Sequence, residues 1–337
     1  MPAMETLRLQ LLEMLMSGIV AQSLAVAAEL GIADLLVNGP MSAAELAARV
    51  NVQPDKLHRL LRYTASHGVF RDTGDGRFEL TPLSQVLRSD SENSVRDAGR
   101  MIARASRAFP FLLENLRTGT CGYNLAFGKP IFEDLKENPH DAAIFDAAMK
   151  SFHGGETDAM LAAYSLSGID NVCDIGSGSG VMMAAMLKRY PSMKGILFDL
   201  DHVIARSRTN MESAGLTARC RFEAGSFFET IPAGADVYTI RHIIHDWRDE
   251  ESIRILKNVR KAMKTGARLL VLETVIPEGN DPHFSKMADM AMMLWPNGLE
   301  RTAEDFRLLL ASSGFDLVAV TPTKSAVSVI EARPRSS

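Results

Sequence analysis

Leu11, Leu12, Leu15, Ile19, Val20, Leu24 and Val26 recur at spacings that cover more than one face of a helix, so the first helix needs burial on more than one side. Two readings stay open: a dimerisation helix covered by a partner subunit, or a helix buried inside one domain. Downstream the pattern becomes short and amphipathic. Ser42 with Glu45 three positions on forms a capping box that opens SAAELAARV. Pro54 suits the first turn of PDKLHRLLRYTASH, which buries Leu57, Leu60 and Leu61 and ends at Gly68. Val69-Phe70 and Phe78-Glu79-Leu80 flank Gly74-Asp75-Gly76 as a hairpin, and helix, helix, hairpin is a winged-helix order. AAIFDAAMKSFHGGE and DAMLAAYSLSGI carry helical periodicity with a break at Gly154-Gly155.

From Asn171 the pattern alternates. NVCDI, GILFDL, ARCRF, ADVYTI and ARLLVLE are strand candidates, and most of them are apolar throughout. Helical segments fall between most of them, near 204–214, 250–263 and 303–313. Such alternation predicts a parallel sheet covered on both faces. FDLVAV and SAVSVIEA, joined only by TPTK, predict an antiparallel hairpin that closes the sheet. The expected division is a helical winged-helix-like domain over 1–100, a helical linker over 101–160 and an α/β Rossmann-like domain over 161–337. Sheets of this type bind ligands at the carboxyl ends of their strands.

Charge and composition narrow the classes. A chain of 337 residues, 46% hydrophobic and 23% charged, is long enough for two domains with cores. Net charge of -4 argues against a general affinity for nucleic acid or an anionic membrane. A winged-helix DNA-binding regulator is the non-enzymatic alternative, but Pro40 to Asp90 holds seven Lys or Arg against six Asp or Glu, a net of +1 by subtraction. Cys121, Cys173 and Cys220 form no CxxC pair, which fits a reducing cytoplasm and no cysteine-bound metal. Leu7 to Leu30 is very apolar, yet Glu13, Gln22 and Glu29 interrupt it, so no membrane span is expected. Eighteen methionines, clustered at Met14 and Met16, Met182 and Met183, and Met287 to Met293, either line a pocket for a flat apolar ligand or fill core gaps.

The candidate chemistry gathers at the strand ends. NVCDIGSGSG reads as strand, tight turn, helix, and its glycine spacing lacks the G-x-G-x-x-G order that seats a pyrophosphate. A nucleotide bound there need not carry phosphate. Asp199, 25 positions after Asp174, can accept both hydroxyls of a ribose or cap the following helix. Phe227 in Gly225-Ser226-Phe227 either faces an adenine or packs in the core. IRHIIHDWRD places Arg241, His242, His245, Asp246 and Trp247 after a central strand. No third group has metal-ligand spacing to the two histidines, so zinc is not expected. His245 is a candidate general base for a phenol of pKa about 10, or a hydrogen-bonded structural histidine. Glu273, expected to end the next strand, and Glu300, in the loop before the helix TAEDFRLLL, can each accept a hydrogen bond from its far nitrogen.

DIGSGSG, FDL, GSFF, IRHIIHDWRDEE, LETVIPE and GLERTAEDFRLLLASSGF, in this order behind a winged-helix pattern, resemble the dimeric S-adenosylmethionine-dependent small-molecule O-methyltransferases. That group includes plant caffeate and flavonoid enzymes and bacterial phenazine and polyketide relatives. The resemblance covers nearly the whole chain. It implies a class I methyltransferase Rossmann-like sheet, a homodimer formed through the N-terminal domain, S-adenosylmethionine as cofactor with S-adenosylhomocysteine as product, no metal, and a small aromatic substrate bearing a hydroxyl.

By the resemblance Asp174, Gly176, Gly178, Asp199 and Leu200 hold the methionine portion and ribose, and Gly225, Ser226 and Phe227 border the adenine. Arg241, Trp247 and His153 approach the cofactor. His245 is the base, flanked by Glu273 and Glu300, while Met149, Phe152, Asp246, Met290 and Trp295 line the substrate pocket. Three positions depart from the pattern. Ser226 stands where many relatives have Asp, and Arg241 where plant members have Lys, which keeps the charge and changes the geometry. Trp295 stands where plant members have an asparagine, pointing away from plant substrates toward a more apolar ligand. A member of such a family can also use the cofactor without transferring its methyl.

Overall fold

The computed structural model describes residues 4–335. They form two compact units, one running to Phe111 with Leu125–Gly154 added, the other made of Leu112–Asn124 and the chain from Gly155 onward. Residues of the expected 101–160 linker fall in both.

In the first unit the N-terminal apolar run forms α1 (Met4–Met16) and α2 (Gly18–Glu29). Nothing on α1 is buried, and Leu11, Leu12, Leu15 and Ile19 stand exposed. Burial inside this chain therefore does not account for that apolar surface. By length and composition alone Met4–Glu29 is long and apolar enough to cross a membrane, a test that core helices of soluble proteins also pass. Next come α3 (Ile32–Leu35), β1 (Met41–Ser42), α4 (Ala43–Val50), α5 (Pro54–Ser66), β2 (Phe70–Asp72) and β3 (Arg77–Leu80). The capping box at α4 is complete: Ser42 Oγ accepts the Glu45 N–H, and the Glu45 carboxylate accepts the Ser42 N–H at 2.7 Å. The strands pair antiparallel in the order β1-β3-β2, closing Leu46, Leu57, Leu61, Phe70 and Phe78 into one core. Two-residue β1 carries no signal in the pattern and exists because it pairs with β3. Later helices are α6 (Arg96–Ala105), α7 (Leu112–Thr118), α8 (Gly122–Phe127), α9 (Ile131–Glu137) and α10 (Pro139–Phe152), of which α7 and the first half of α8 belong to the second unit.

The second unit continues with α11 (Glu156–Ala163), β4 (Asn171–Ile175), α12 (Val181–Arg189), β5 (Lys194–Asp199), α13 (Asp201–Ser213), β6 (Cys220–Ala224), β7 (Val237–Arg241) and α14 (Asp249–Ala262). It closes with β8 (Arg268–Ile276), α15 (Phe284–Leu294), β9 (Arg301–Thr302), α16 (Ala303–Ser312), β10 (Phe315–Pro322) and β11 (Val327–Pro334). The sheet order is β10-β11-β8-β7-β4-β5-β6, with β9 paired to β8. β4 to β8 are parallel, and β11 runs antiparallel to both β8 and β10, as the short TPTK connection requires.

Val172, Cys173, Ile175, Leu197, Val237, Ile240 and Leu269 to Leu272 are fully buried, which is why these strands read as unbroken apolar runs. Each such leucine or isoleucine contributes about 1.5–3 kcal/mol of transfer free energy. The methionine clusters divide in use: Met182, Met183 and Met186 fill the core, whereas Met14, Met16, Met287 and Met290 are exposed. A Cβ at Gly195 would stand 2.2 Å from Met183 Sδ, so this strand carries glycine to admit the thioether.

Candidate active site

The β4 turn is built for main-chain access. Gly176, Gly178 and Gly180 have φ of 69°, 55° and 80°, the left-handed region that other residues occupy at a cost. The N–H groups of Gly176 and Ser177 both donate to the Phe198 carbonyl, at 2.9 and 3.2 Å, which fastens the turn to β5. A Cβ at Gly176 would lie 2.6 Å from Ile243 Cδ1, while one at Gly178 would meet nothing within 4 Å. Open space therefore stands over the Gly178 backbone. Ser177 Oγ is buried and makes no hydrogen bond among the described residues. An unsatisfied hydroxyl beside exposed glycine backbone fits a polar, non-phosphate ligand portion.

Asp199 braces this turn. Its Oδ2 accepts the Gly178 N–H at 2.9 Å and its Oδ1 accepts the Leu200 N–H at 2.7 Å. The helix-cap alternative for Asp199 is corrected: Leu200 occupies the N-cap of α13 with no side-chain cap bond, because the helix starts one residue later. A carboxylate has about four lone-pair sites, so hydroxyl acceptance remains open to Asp199. Asp174 is buried, and burial pushes its pKa up to about 6 against the Thr239 hydroxyl at 2.8 Å and the charge of Arg241. Arg241 in turn donates to Thr157 Oγ1 at 3.0 Å.

After β6, a Cβ at Gly225 would lie 2.7 Å from the Phe198 ring. Ser226 Oγ accepts the Phe228 N–H at 3.3 Å and so stabilises its own turn. Phe227 and Phe228 each pack edge to face with Trp247, the Phe228 and Trp247 centroids 4.8 Å apart, and are tilted against one another. Core packing thus holds for the inner faces of Phe227 and Trp247, both half-buried.

His245 lies on the one-turn helix Ile244–Asp246 after β7. Its Nδ1 stands 3.0 Å from Glu300 Oε1 and 3.6 Å from Glu273 Oε2. Nε2 is 3.7 Å from Asp246 Oδ1, beyond hydrogen-bond reach. Glu273, fully buried at the middle of β8, accepts through Oε1 the backbone N–H groups of Ile243, Ile244 and His245 at 3.1, 2.9 and 3.4 Å. Glu300 also receives the Thr274 hydroxyl, and its own N–H donates to Asp289 at 2.9 Å.

The turn is clasped from the other side as well. Leu299 N–H donates to His245 O at 2.8 Å, and a Cβ on Gly298 would sit 1.9 Å from that oxygen. Arg301, 1% exposed, donates to the carbonyls of Ile244 and Trp247 at 3.0 and 2.9 Å and to Asp249 at 2.7 Å.

Charge follows from this enclosure. Burial pulls the His245 pKa down, but the charge of Glu273 and the hydrogen bond to Glu300 outweigh it and raise it to about 10. Burial pushes Glu273 up to about 7 against the charge of His245. For Glu300 burial acts upward too, yet the hydrogen bond and charge of His245 hold it below the usual carboxylate range.

Sequence reasoning missed several neighbours. His242 has φ 51° and its Nε2 lies 2.8 Å from Glu156 Oε2. Glu156 reads locally as an acid in the first turn of a helix, and nothing in the pattern signals a partner 86 residues away. Linear spacing also hid Glu273 as a third group beside the histidines: His242, His245 and Glu273 bring ligand atoms within 4.8 Å of one another. Met290 is exposed on α15 and Trp295 caps that helix, its carbonyl 2.9 Å from Cys121 Sγ. Met149, Phe152 and His153 lie on or just after α10, in the first unit.

Residues 109–316 match the family model of the O-methyltransferase domain, and residues 12–90 match that of the O-methyltransferase dimerisation domain. This chain belongs to the O-methyltransferase family. The O-methyltransferase is 40% identical to a phenazine O-methyltransferase, PhzM, of Lysobacter antibioticus, over 96% of this chain and 95% of that one. It is 37% identical to the mitomycin biosynthesis 6-O-methyltransferase of Streptomyces lavendulae, over 93% and 90%. Among solved structures it superposes at TM-score 0.84 and 30% identity, covering 94% and 96%, on NcsB1 of neocarzinostatin biosynthesis, solved with S-adenosylmethionine and 2-hydroxy-5-methyl naphthoic acid. The O-methyltransferase is therefore an S-adenosylmethionine-dependent methyltransferase, and its dimerisation domain points to a homodimer.

Proposed function

We propose that this O-methyltransferase moves the methyl group of S-adenosylmethionine onto a phenolic hydroxyl of a flat aromatic metabolite of the phenazine or naphthoate kind, with His245 as general base. The observation that carries the reading is the asymmetry of His245, whose Nδ1 is engaged by Glu300 at 3.0 Å while Nε2 has no partner within hydrogen-bond reach among the described residues. Glu300 fixes the tautomer with Nδ1–H, so Nε2 takes the phenol proton. Glu273 supplies the negative charge that stabilises the resulting imidazolium.

When bound, S-adenosylmethionine supplies an activated sulfonium methyl, so the chain has to orient oxygen toward carbon and remove one proton. Asp174, Gly176, Gly178 and Asp199 take its amino acid portion and ribose, joined by Ser177. Leu200 follows Asp199 on the ribose side, Gly225, Ser226 and Phe227 border the adenine, and Arg241 and Trp247 complete the cofactor wall. In the second unit Asp246, Met290 and Trp295 line the acceptor side. Apolar, polarisable groups predominate there, which favours a polycyclic aromatic over a sugar or amino acid. The protein acts in the cytoplasm as a homodimer, without metal, nucleic acid or membrane.

Incubation with labelled cofactor and a panel of hydroxyphenazines, hydroxynaphthoates and flavonoids tests this, read as S-adenosylhomocysteine and methyl ether formed together. His245→Ala should bind cofactor as wild type does while methyl transfer falls by about a hundredfold or more. Full turnover in that variant removes the base assignment. Product from the acceptor without methyl incorporation would move the protein to chemistry of another kind; one relative, 33% identical, is named an aclacinomycin 10-hydroxylase, RdmB of Streptomyces purpurascens.

A further inference from the structure

We propose that Glu156 and His242 form a positioning pair that shares Glu273 with His245 and sets the pH at which His245 becomes a base. This rests on the reading of His245 as the base. Glu273 spends Oε1 on three backbone N–H groups, and Oε2 is buried without a hydrogen bond among the described residues. That oxygen lies 3.6 Å from His245 Nδ1 and 3.7 Å from His242 Nδ1, so one carboxylate oxygen faces two imidazoles. The two rings are 5.3 Å apart between centroids and tilted by 40°.

His242 is held for this geometry. Its backbone sits at φ 51°, a conformation that costs a β-carbon residue about 1–2 kcal/mol and persists only where surroundings enforce it. Here the His242 N–H donates to Leu272 O at 3.3 Å, and the ring is gripped by Glu156, 4% exposed, at 2.8 Å. A staple between the end of β7 and the start of α11 already exists next door in Arg241 and Thr157. Adding a buried carboxylate to fasten the same two elements would be costly unless its charge is used.

Among the groups facing His242 are Glu156 from α11, Glu273 from β8 and His245 across the turn. Those facing His245 are Glu273, Glu300 ahead of β9, Asp246 beside it, and His242. A His242 cation, paired with the Glu156 carboxylate at 2.8 Å, would offset part of the Glu273 charge felt by His245. The proton on His245 is then released at a lower pH than the carboxylates alone would allow.

The test is the acid limb of kcat/KM against pH for wild type, His242→Asn, Glu156→Gln and His245→Asn, each checked for cofactor binding and melting temperature. Removing the His242 charge should strengthen proton binding at His245 and move the limb upward by about half to two pH units. Glu156→Gln keeps the hydrogen bond, so it folds, and should move the limb the same way by less. An unmoved limb, or one displaced downward, in a folded Glu156→Gln or His242→Asn protein overturns the pairing. If His245→Asn keeps the wild-type limb, the base reading itself fails, separately from the pairing. Chelation should leave the wild-type profile unchanged; a profile altered by EDTA and restored by zinc would make His242, His245 and Glu273 metal ligands and overturn the proposal.

Discussion

Two turns follow neighbouring parallel strands of one sheet and are built in opposite ways. After β4 the chain is Gly-Ser-Gly-Ser-Gly, with backbone left open over Gly178 and a hydroxyl left unsatisfied at Ser177. After β7 main-chain groups are taken up: three N–H groups by Glu273, two carbonyls by Arg301 and the His245 carbonyl by Leu299. The first turn leaves polar backbone available to a ligand. The second saturates the main chain around His245.

The contrast can be broken most severely at Gly298. A Cβ 1.9 Å from His245 O forces the clasp apart, so Gly298→Ala should lower kcat by about a hundredfold while isothermal titration finds cofactor affinity within about twofold of wild type. Glu300→Gln preserves an acceptor for Nδ1 and removes its charge. Because Glu300 raises the His245 pKa, its neutralisation should move the acid limb of the rate profile to lower pH, with kcat down about tenfold in stopped assays.

On the other turn the expected losses are in binding. Gly178→Ala, at φ 55°, should reduce stability by about 1 kcal/mol and weaken cofactor binding about tenfold, leaving kcat at saturating cofactor unchanged. The smallest effect is expected at the cap of α16, where Thr302 Oγ1 accepts the Asp305 N–H at 3.1 Å. Thr302→Ala should cost about 1 kcal/mol in denaturant unfolding and leave the pH profile alone, although Thr302 directly follows Arg301.

Much of the first turn was legible in the sequence, because strand, glycines and helix lie within ten residues and each rule involved is local. The same holds for the capping box at Ser42 and the antiparallel closure by β10 and β11. The second turn was legible only in its His245, Glu273 and Glu300. Arg301 reads as an ordinary surface charge until the fold buries it, and Glu156 as a helix-start acid until β7 brings His242 to it. α15 was not read as a helix, since its methionines suggested pocket lining more strongly than helical period, and β9 has just two paired residues. Asp199 shows the opposite failure: a cap rule applied where the helix begins one residue later.

The exposed apolar surface of α1 has a thermodynamic consequence if a second copy covers it. Apparent stability is then tied to protein concentration. Diluted for assay, the enzyme should lose its melting temperature and its activity per molecule together, and both should return when the same sample is concentrated.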